Sequence, residues 1–255
     1  MKTISGDKWR SDLENWGIPQ DILKQAPSNP WIHPVDLFKV PAEIPNSISH
    51  DKAREIKPRT LLDVGCGGGI ATFAVTPPAT SVIGIDHQPE MLREYESVAK
   101  QKELFVKTIE GFWPDVADKS EKSDVVVCHH VLFNVHNIEE FLIELNNHAN
   151  YRVVIEIPKF HPQSESNYLW KHFWNLERPA GPTASDITNV LEELGIKANI
   201  IFWESESPRT LDSSKKIEYA RIRLCLNKDQ DEEIIRVMNQ QPVAKRELAT
   251  IWWDK

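Results

Sequence analysis

Long apolar runs are missing from this chain of 255 residues. No uninterrupted apolar stretch reaches the roughly 18 residues that a membrane-spanning helix needs, and the first residues, MKTISGDKWRSDLENW, lack the apolar segment of a secretion signal. Cysteine is scarce as well. Cys66, Cys128 and Cys225 are widely spaced and odd in number, which indicates reduced thiols rather than a disulfide framework. We therefore expect a soluble, cytoplasmic protein that does not bind membranes.

Clusters of basic residues are also missing. The formal net charge is -8, and no block of Lys and Arg provides the electrostatic footprint of a nucleic-acid-binding protein. We therefore expect no nucleic-acid partner. The hydrophobic content of 40% is enough to bury one good core, so the length indicates one domain with an appendage. Nothing in the sequence indicates the oligomeric state.

Glycine is infrequent, yet it is concentrated in the stretch LLDVGCGGGIATFAV, which starts at Leu61. Here an apolar strand pattern passes through a glycine turn into a helical pattern. Glycine lets a backbone approach a ligand closely at the carboxyl end of a strand. The dinucleotide-binding pattern G-x-G-x-x-G does not fit, because its third glycine, counted from Gly65, would be Ile70. A dehydrogenase is therefore disfavoured.

The N-terminal fifty-odd residues differ from the rest of the chain. They are rich in proline and tryptophan, which predicts short helices broken by turns rather than strands. We expect residues 1–55 to form a helical cap or lid, and residues 56–255 to form the main domain.

Apolar strands alternate with amphipathic helices after Arg59. The predicted helices are Pro89 to Lys100 and Ile138 to Asn146, the second with a capping box formed by Asn137 and Glu140. This alternation predicts a doubly wound α/β fold with a mostly parallel sheet. The predicted strands are Thr60 to Val64, Ser81 to Ile85, Leu104 to Ile109, Asp124 to Cys128, Arg152 to Ile157, and the segment ANIIFWE.

The pattern Asp63-x-Gly65-x-Gly67-x-Gly69 resembles the first motif of class I S-adenosylmethionine-dependent methyltransferases. VIGIDHQPEML is similar to the second motif, SDVVVCHHVLFNVHNIEEFLIEL to the fourth strand and its helix, and YRVVIEIP to the fifth strand. The resemblance covers residues 59–158. It implies a Rossmann-like sheet of seven strands, the last of them antiparallel, with S-adenosylmethionine as the cofactor and S-adenosylhomocysteine as the product.

The resemblance also implies roles for the cofactor residues. Asp63 orients the glycine loop and the methionine amino group, while the backbone at Gly65, Cys66 and Gly67 passes under the carboxylate and the sugar. Asp86 accepts hydrogen bonds from both ribose hydroxyls. The alternative for Asp86 is a helix cap before Pro89. His87 is expected to lie against the adenine, with a solvent-facing position as its alternative.

The sequence departs from the family after the third strand. Many members place there an acid that accepts the adenine amino group, but this chain has Phe112 and Trp113 after a glycine. We expect adenine to be recognised by the backbone and by stacking at these two residues. The alternative is that both aromatic rings belong to the core.

Histidines follow the fourth strand, at the sheet edge where α/β proteins bind ligands. His129 is predicted to line the methionine end of the cofactor. His130, the candidate catalytic base, and Asn134 are predicted to lie on the acceptor side. Adjacent residues on a strand point in opposite directions, and no further spaced ligands follow, so we expect no metal at Cys128, His129 and His130.

An insertion at about residues 159–185 follows the fifth strand and is predicted to contribute Trp170, Trp174 and Arg178 to the acceptor side. It and the N-terminal segment would close over the cofactor as a lid. The alternative is that the aromatic residues pin irregular segments onto the sheet. A helix capped by Thr183 and Asp186 follows, and ATIWW is preferred over EYARIRLCL as the seventh strand.

Methyl transfer to a small-molecule acceptor is therefore the predicted function. The reaction is an in-line displacement that the protein assists mainly by positioning and water exclusion, so no nucleophile is needed. Two alternatives stay open: a methyltransferase acting on protein or RNA, and a non-catalytic module that binds S-adenosylmethionine. The sequence does not identify the acceptor atom.

Overall fold

A computed structural model describes residues 2–30, 40–205, 213–241 and 245–255. Its centre is a seven-stranded sheet in the order β3-β2-β1-β4-β5-β7-β6. All neighbouring pairs are parallel except those of β7, which runs antiparallel to β5 and β6. The strands are β1 (Thr60–Val64), β2 (Ser81–Asp86), β3 (Phe105–Glu110), β4 (Ser123–His129), β5 (Ala149–Pro158), β6 (Asn199–Ser205) and β7 (Arg246–Asp254).

Helices cover both faces of this sheet. They are α1 (Ile4–Glu14), α2 (Gln20–Leu23), α3 (Ile48–Arg54), α4 (Ile70–Ala74), α5 (Pro89–Gln101), α6 (Ile138–His148), α7 (Asn167–Trp174), α8 (Ala184–Glu193), α9 (Ser213–Arg223) and α10 (Asp231–Met238). No helix among the described residues is long and apolar enough to cross a membrane.

Successive residues of the strands face two different hydrophobic clusters, because side chains alternate along a strand. Leu62 of β1 packs with residues of α1, α6 and α8, whereas Leu61 packs with residues of α3, α4 and α5. The central strands are buried on both faces and therefore appear in the sequence as continuous apolar runs. The predicted doubly wound α/β fold is confirmed.

Most predicted elements are confirmed within one to three residues at each end. The capping box at Asn137 is wrong, since α6 begins there without a side-chain cap, whereas the box at Thr183 and Asp186 is present. ATIWW lies in β7, as predicted. The competing segment EYARIRLCL mostly forms the end of α9, because tertiary packing, not alternation alone, decides such short segments.

The N-terminal segment is packed into the body of the protein. Trp9 of α1 is fully buried in the cluster of α6 and α8, and its indole N–H donates to the carbonyl oxygen of Val135 at 2.8 Å. Trp16 is 4% exposed, and its ring stacks on His161 with centroids 4.0 Å apart. These contacts favour the alternative in which aromatic residues pin this segment onto the sheet.

A third hydrophobic cluster lies outside the sheet. It joins α2 to α7, α9 and α10, and its buried members include Trp170 of α7 and Ile234 of α10. The insertion after β5 therefore has a packing role of its own: α7 connects the N-terminal segment to the C-terminal helices.

Replacing Trp9 with alanine is expected to destabilise the whole domain, because the change leaves a large cavity against the sheet and an unpaired carbonyl. The free energy of unfolding should fall by about 3–5 kcal/mol, as measured by urea denaturation. The matched control is Ile4→Ala on the same helix, whose side chain is 85% exposed and which should change stability by less than about 0.5 kcal/mol. Equal effects of the two substitutions would show that α1 is not part of the cooperative fold.

Candidate functional site

The glycine loop between β1 and α4 has a backbone that other residues rarely adopt. The φ angles of Gly65, Gly67 and Gly69 are 72°, 51° and 101°, all in the left-handed region. The amides of Gly65 and Cys66 donate to the carbonyl oxygen of Ile85 at 2.8 and 3.0 Å, which ties the loop to the end of β2. A side chain at Gly65 would also lie 2.4 Å from Val131 Cγ2. The loop therefore requires glycine for its conformation and for its close packing.

Asp86 ends β2 and fixes two neighbouring turns. Its Oδ2 accepts the Gly67 N–H at 2.9 Å, and its Oδ1 accepts the Gln88 N–H at 2.9 Å. Each carboxylate oxygen can accept a second hydrogen bond, so Asp86 retains the capacity to bind two further donors. The residue is 9% exposed. It does not cap α5, whose N-cap is Gln88.

Asp63 points into the protein beneath α4. It is 1% exposed, and its Oδ2 accepts a hydrogen bond from Thr72 Oγ1 at 2.7 Å. Thr72 Oγ1 in turn lies 3.0 Å from the Tyr95 hydroxyl. Burial raises the pKa of Asp63 to about 7, and the nearby negative charge of Asp86 acts in the same direction. Asp63 thus links the strand end before the glycine loop to the helix after it.

An exposed aromatic pair lies beyond Asp86. The rings of His87 and Phe112 are stacked, with centroids 4.6 Å apart and planes inclined by 17°. Phe112 is 63% exposed, a large apolar surface left open to solvent. Trp113 differs from Phe112, because its side chain is buried in the core and its N–H donates to the Phe141 carbonyl oxygen at 3.3 Å. The loop after β3 therefore offers Phe112, and not the indole of Trp113, as a stacking surface.

A polar cluster lies at the carboxyl ends of β4 and β5. The rings of His50 and His129 stack with centroids 5.5 Å apart. His130 Nε2 lies 3.1 Å from Glu156 Oε1, and the His130 amide donates to the Glu156 carbonyl oxygen at 2.7 Å. His130 has a φ of 62°, a conformation that is uncommon for residues other than glycine. Such strain is often found at functional sites.

Burial sets the protonation states of this cluster. Desolvation lowers the pKa of both His50 and His129 to about 4, so both imidazoles are neutral near pH 7. Burial is the largest single influence on Glu156 and opposes its ionisation, but the hydrogen bonds from His130 and Ser47 and the electrostatic influence of His129 and His130 together hold the pKa of the carboxyl well below its usual value. The cluster therefore combines neutral imidazoles with a carboxylate.

The predicted acceptor-side residues are not all in one place. Asn134 is exposed on the 3-10 turn Leu132–Asn134 that follows β4. Trp170 is 1% exposed within the third cluster, and the Trp174 N–H donates to the Leu224 carbonyl oxygen at 2.7 Å. Arg178 stacks on Trp16 and Trp170 and donates to main-chain oxygens. In this conformation the last three side chains serve packing.

Two members of the polar cluster were not predicted from the sequence. Glu156 carried a signal, since it is a single acid within the apolar run of β5 and a buried charge requires partners. His50 carried no signal, because only the fold packs α3 on β5 and brings the His50 ring to His129.

The raised pKa of Asp63 predicts a pH dependence of stability. The folded protein holds the Asp63 proton more tightly than the unfolded chain does, so this contribution to stability is present at about pH 4 and is lost as the pH rises to about 7. A pKa rise from 3.8 to about 7 corresponds to at most about 4 kcal/mol. Urea denaturation of the protein and of Asp63→Asn across this range should give a difference in unfolding free energy that declines with pH. A constant difference would contradict the buried, protonated state.

Comparisons with known proteins agree with this geometry. Residues 62–150 match the family model described as "Methyltransferase domain". The ubiquinone biosynthesis O-methyltransferase of Azorhizobium caulinodans is 30% identical over 129 residues, which are 50% of each chain. That of Actinobacillus pleuropneumoniae serotype 5b is 34% identical over 114 residues, 41% of this chain and 48% of the relative. The aligned part thus spans about half the length of these relatives.

The fold also matches solved structures. The crystal structure of the YcgJ protein from Bacillus subtilis superposes with a TM-score of 0.55 and 14% identity, covering 81% of this chain and 97% of that one. At this identity the match concerns the fold alone. The glycine loop and the acid that ends β2 thus lie in a stretch, residues 62–150, that is similar to methyltransferase domains.

Proposed function

We propose that this protein is an enzyme that transfers the methyl group of S-adenosylmethionine to an oxygen atom of a small-molecule acceptor. The observation that carries the proposal is the position of Asp86: its carboxylate lies at the end of β2, accepts the N–H of Gly67 in the glycine loop, and can accept two further donors. Vicinal ribose hydroxyls are two such donors. The names of the relatives, both O-methyltransferases, support oxygen as the acceptor atom.

The residues around Asp86 fit the cofactor. The glycine loop at Gly65, Cys66 and Gly67 has the backbone conformation that permits a close approach of the methionine portion. The stacked pair of His87 and Phe112 offers an exposed aromatic surface for the adenine beyond the ribose. Asp63 and His129 lie at the ends of the adjacent strands β1 and β4, where they would support the methionine end.

When bound, S-adenosylmethionine supplies a methyl group on a positively charged sulfur, so the sulfur–carbon bond breaks as the oxygen–carbon bond forms. His130 is the candidate base that takes the hydroxyl proton of the acceptor. Its Nε2 lies 3.1 Å from Glu156 Oε1, and this contact orients the ring at the carboxyl end of β4. Positioning and the exclusion of water provide most of the remaining acceleration.

The acceptor side is assigned to the elements that surround this edge of the sheet. Residues 1–55 and the insertion at 159–185 would form its cap, with Asn134 the most exposed of the predicted contacts. In this account Trp170, Trp174 and Arg178 hold the cap together rather than bind the acceptor.

The net charge of -8 supports a small molecule as the acceptor rather than a nucleic acid. The free, buried cysteines support a reducing compartment, the cytoplasm.

Isothermal titration calorimetry with S-adenosylmethionine and S-adenosylhomocysteine tests the proposal. We expect micromolar binding of both compounds and none of NADH. Asp86→Ala should weaken binding by about tenfold or more, or ~1.4 kcal/mol, because the ribose loses a charged acceptor and the glycine loop loses its anchor. Glu90→Ala, an exposed acid in the first turn of α5, is the matched control. Absence of binding to the intact protein would refute the proposal.

The exposed ring of Phe112 predicts a second effect on cofactor affinity. Phe112→Ala should weaken S-adenosylhomocysteine binding by about 1–3 kcal/mol, the range for stacking of a base on an aromatic ring, and should leave stability nearly unchanged. The control is Phe105→Ala, a ring that is 78% exposed at the start of β3, far from the loop that follows the strand. If Phe112→Ala leaves the affinity as unchanged as Phe105→Ala does, adenine does not stack on the loop after β3.

A further inference from the structure

We propose that His50, His129 and Glu156 form a binding site for a divalent transition-metal ion of the zinc type. The three residues come from α3, β4 and β5. One donor atom from each residue lies within 4.8 Å of the donor atoms of the other two. The inference goes beyond methyl transfer and does not depend on the proposed function.

Each of the three residues has one buried side-chain atom that forms no hydrogen bond within the described part of the chain. His50 Nδ1, His129 Nε2 and Glu156 Oε2 are buried and have no hydrogen-bond partner among the described residues. A buried polar atom without a partner costs free energy, and here three such atoms belong to side chains that converge. A bound cation would satisfy all three at once.

The residue types suit a borderline metal ion. Two imidazole nitrogens with one carboxylate oxygen are a ligand set typical of zinc sites that keep an open coordination position. With three protein ligands, the fourth position is available to water or to an oxygen of another ligand. The cluster lies at the carboxyl ends of β4 and β5, the edge at which α/β sheets bind ligands.

The surrounding contacts orient these ligands. His130 Nε2 holds Glu156 Oε1 at 3.1 Å, which leaves the other carboxylate oxygen toward the histidines. The Ser47 hydroxyl accepts the backbone N–H of His50 at 3.1 Å as the N-cap of α3, and Ser49 Oγ lies 2.6 Å from Thr250 Oγ1, which fastens α3 to β7. The contact from His130 fixes the orientation of the carboxylate ligand, and the contacts of α3 fix the position of the backbone that carries His50.

Metal binding must draw the cluster together. Ligand bonds of 2.0–2.2 Å in a tetrahedron place the donor atoms about 3.4 Å apart, closer than the present limit of 4.8 Å. Side-chain rotation of the two histidines supplies this contraction without moving the strands. His50 also forms part of the wall of a surface cleft with Asn46 and Arg54, which gives an ion a route to the site.

No metal is expected at Cys128, His129 and His130 as a run, because neighbouring strand residues diverge and no further spaced ligands follow. This divergence leaves His129 able to share a metal ion with ligands from other elements. Cys128 indeed packs in the cluster on one face of the sheet, while His129 faces His50 on the other.

The test uses the full chain after dialysis against a chelator. Calorimetric titration with zinc chloride and absorption spectra with cobalt(II) should show one tightly bound ion per chain. His50→Gln, His129→Gln and Glu156→Gln should each weaken zinc binding by more than roughly 10-fold, because even outer-shell changes cost about 10–100-fold in metal affinity. Zinc should raise the melting temperature of the parent protein but not of these variants.

His172→Gln is the matched control, since His172 and Glu233 form an exposed histidine–carboxylate pair 2.7 Å apart. This variant should bind zinc like the parent. Circular dichroism of each variant verifies folding before titration. Weak binding by the parent, or tight binding that survives substitution within the cluster, would overturn the inference.

S-adenosylhomocysteine binding by the same metal-free sample separates this inference from the proposed function. Binding of the nucleoside without tight zinc binding would overturn the metal site and leave the methyltransferase proposal intact. Tight zinc binding that is lost on substitution of His50, His129 or Glu156, without binding of S-adenosylhomocysteine, would support the metal site and contradict the methyltransferase proposal.

Discussion

The two hydrogen bonds that Asp86 accepts from the backbone hold the candidate site in shape. One comes from Gly67 in the loop after β1 and the other from Gln88 in the turn after β2. They are possible because β1 and β2 pair in parallel register up to Val64 and Ile85, so both loops leave the sheet at the same level. A carboxylate buried between two turns must satisfy its charge with N–H donors, and the glycines allow the backbone to bring one of those donors close. The glycine loop and the turn after β2 therefore both depend on one side chain.

A second buried polar group lies on the same edge of the sheet. Glu156 is almost fully buried in the apolar run of β5 that extends from Val153 to Ile157, and His130 contributes an interaction that stabilises its charge. The left-handed backbone of His130 positions that contact, so local strain is offset by charge stabilisation. His50 and His129 complete the cluster from the neighbouring elements. Burying the His50 imidazole and the Glu156 carboxylate against two further imidazoles is costly for stability alone, which is consistent with a functional role.

The fold could be predicted from the sequence because its determinants are local. Apolar runs define strands such as β4, and the glycine turn marks where β1 ends and α4 begins. The position of Asp86 at the carboxyl end of β2 could be predicted because the residue directly follows an apolar run. The absence of a side-chain hydrogen bond from Asn137 could not be predicted, since the angle at which the chain enters α6 depends on the preceding turn.

Much of the candidate site depends on contacts that are distant in sequence. Phe112 and Trp113 are neighbouring aromatic residues that the sequence does not distinguish. Packing against α6 nevertheless buries only Trp113. His50 reaches Glu156 only because α3 packs on β5. Trp170 is of a residue type that often lines binding pockets, but the C-terminal helices cover it. Residue type indicates possible chemistry at these positions, while tertiary packing decides which side chains remain accessible.

The central claim is that Asp86 and the glycine loop hold the adenosine portion of S-adenosylmethionine. A crystal structure of the protein with S-adenosylhomocysteine tests it most directly. The account predicts both ribose hydroxyls within hydrogen-bond distance of the Asp86 carboxylate, the adenine against Phe112 and His87, and the sulfur directed toward the ends of β4 and β5. A nucleoside bound elsewhere, or a ribose with no contact to Asp86, would contradict it.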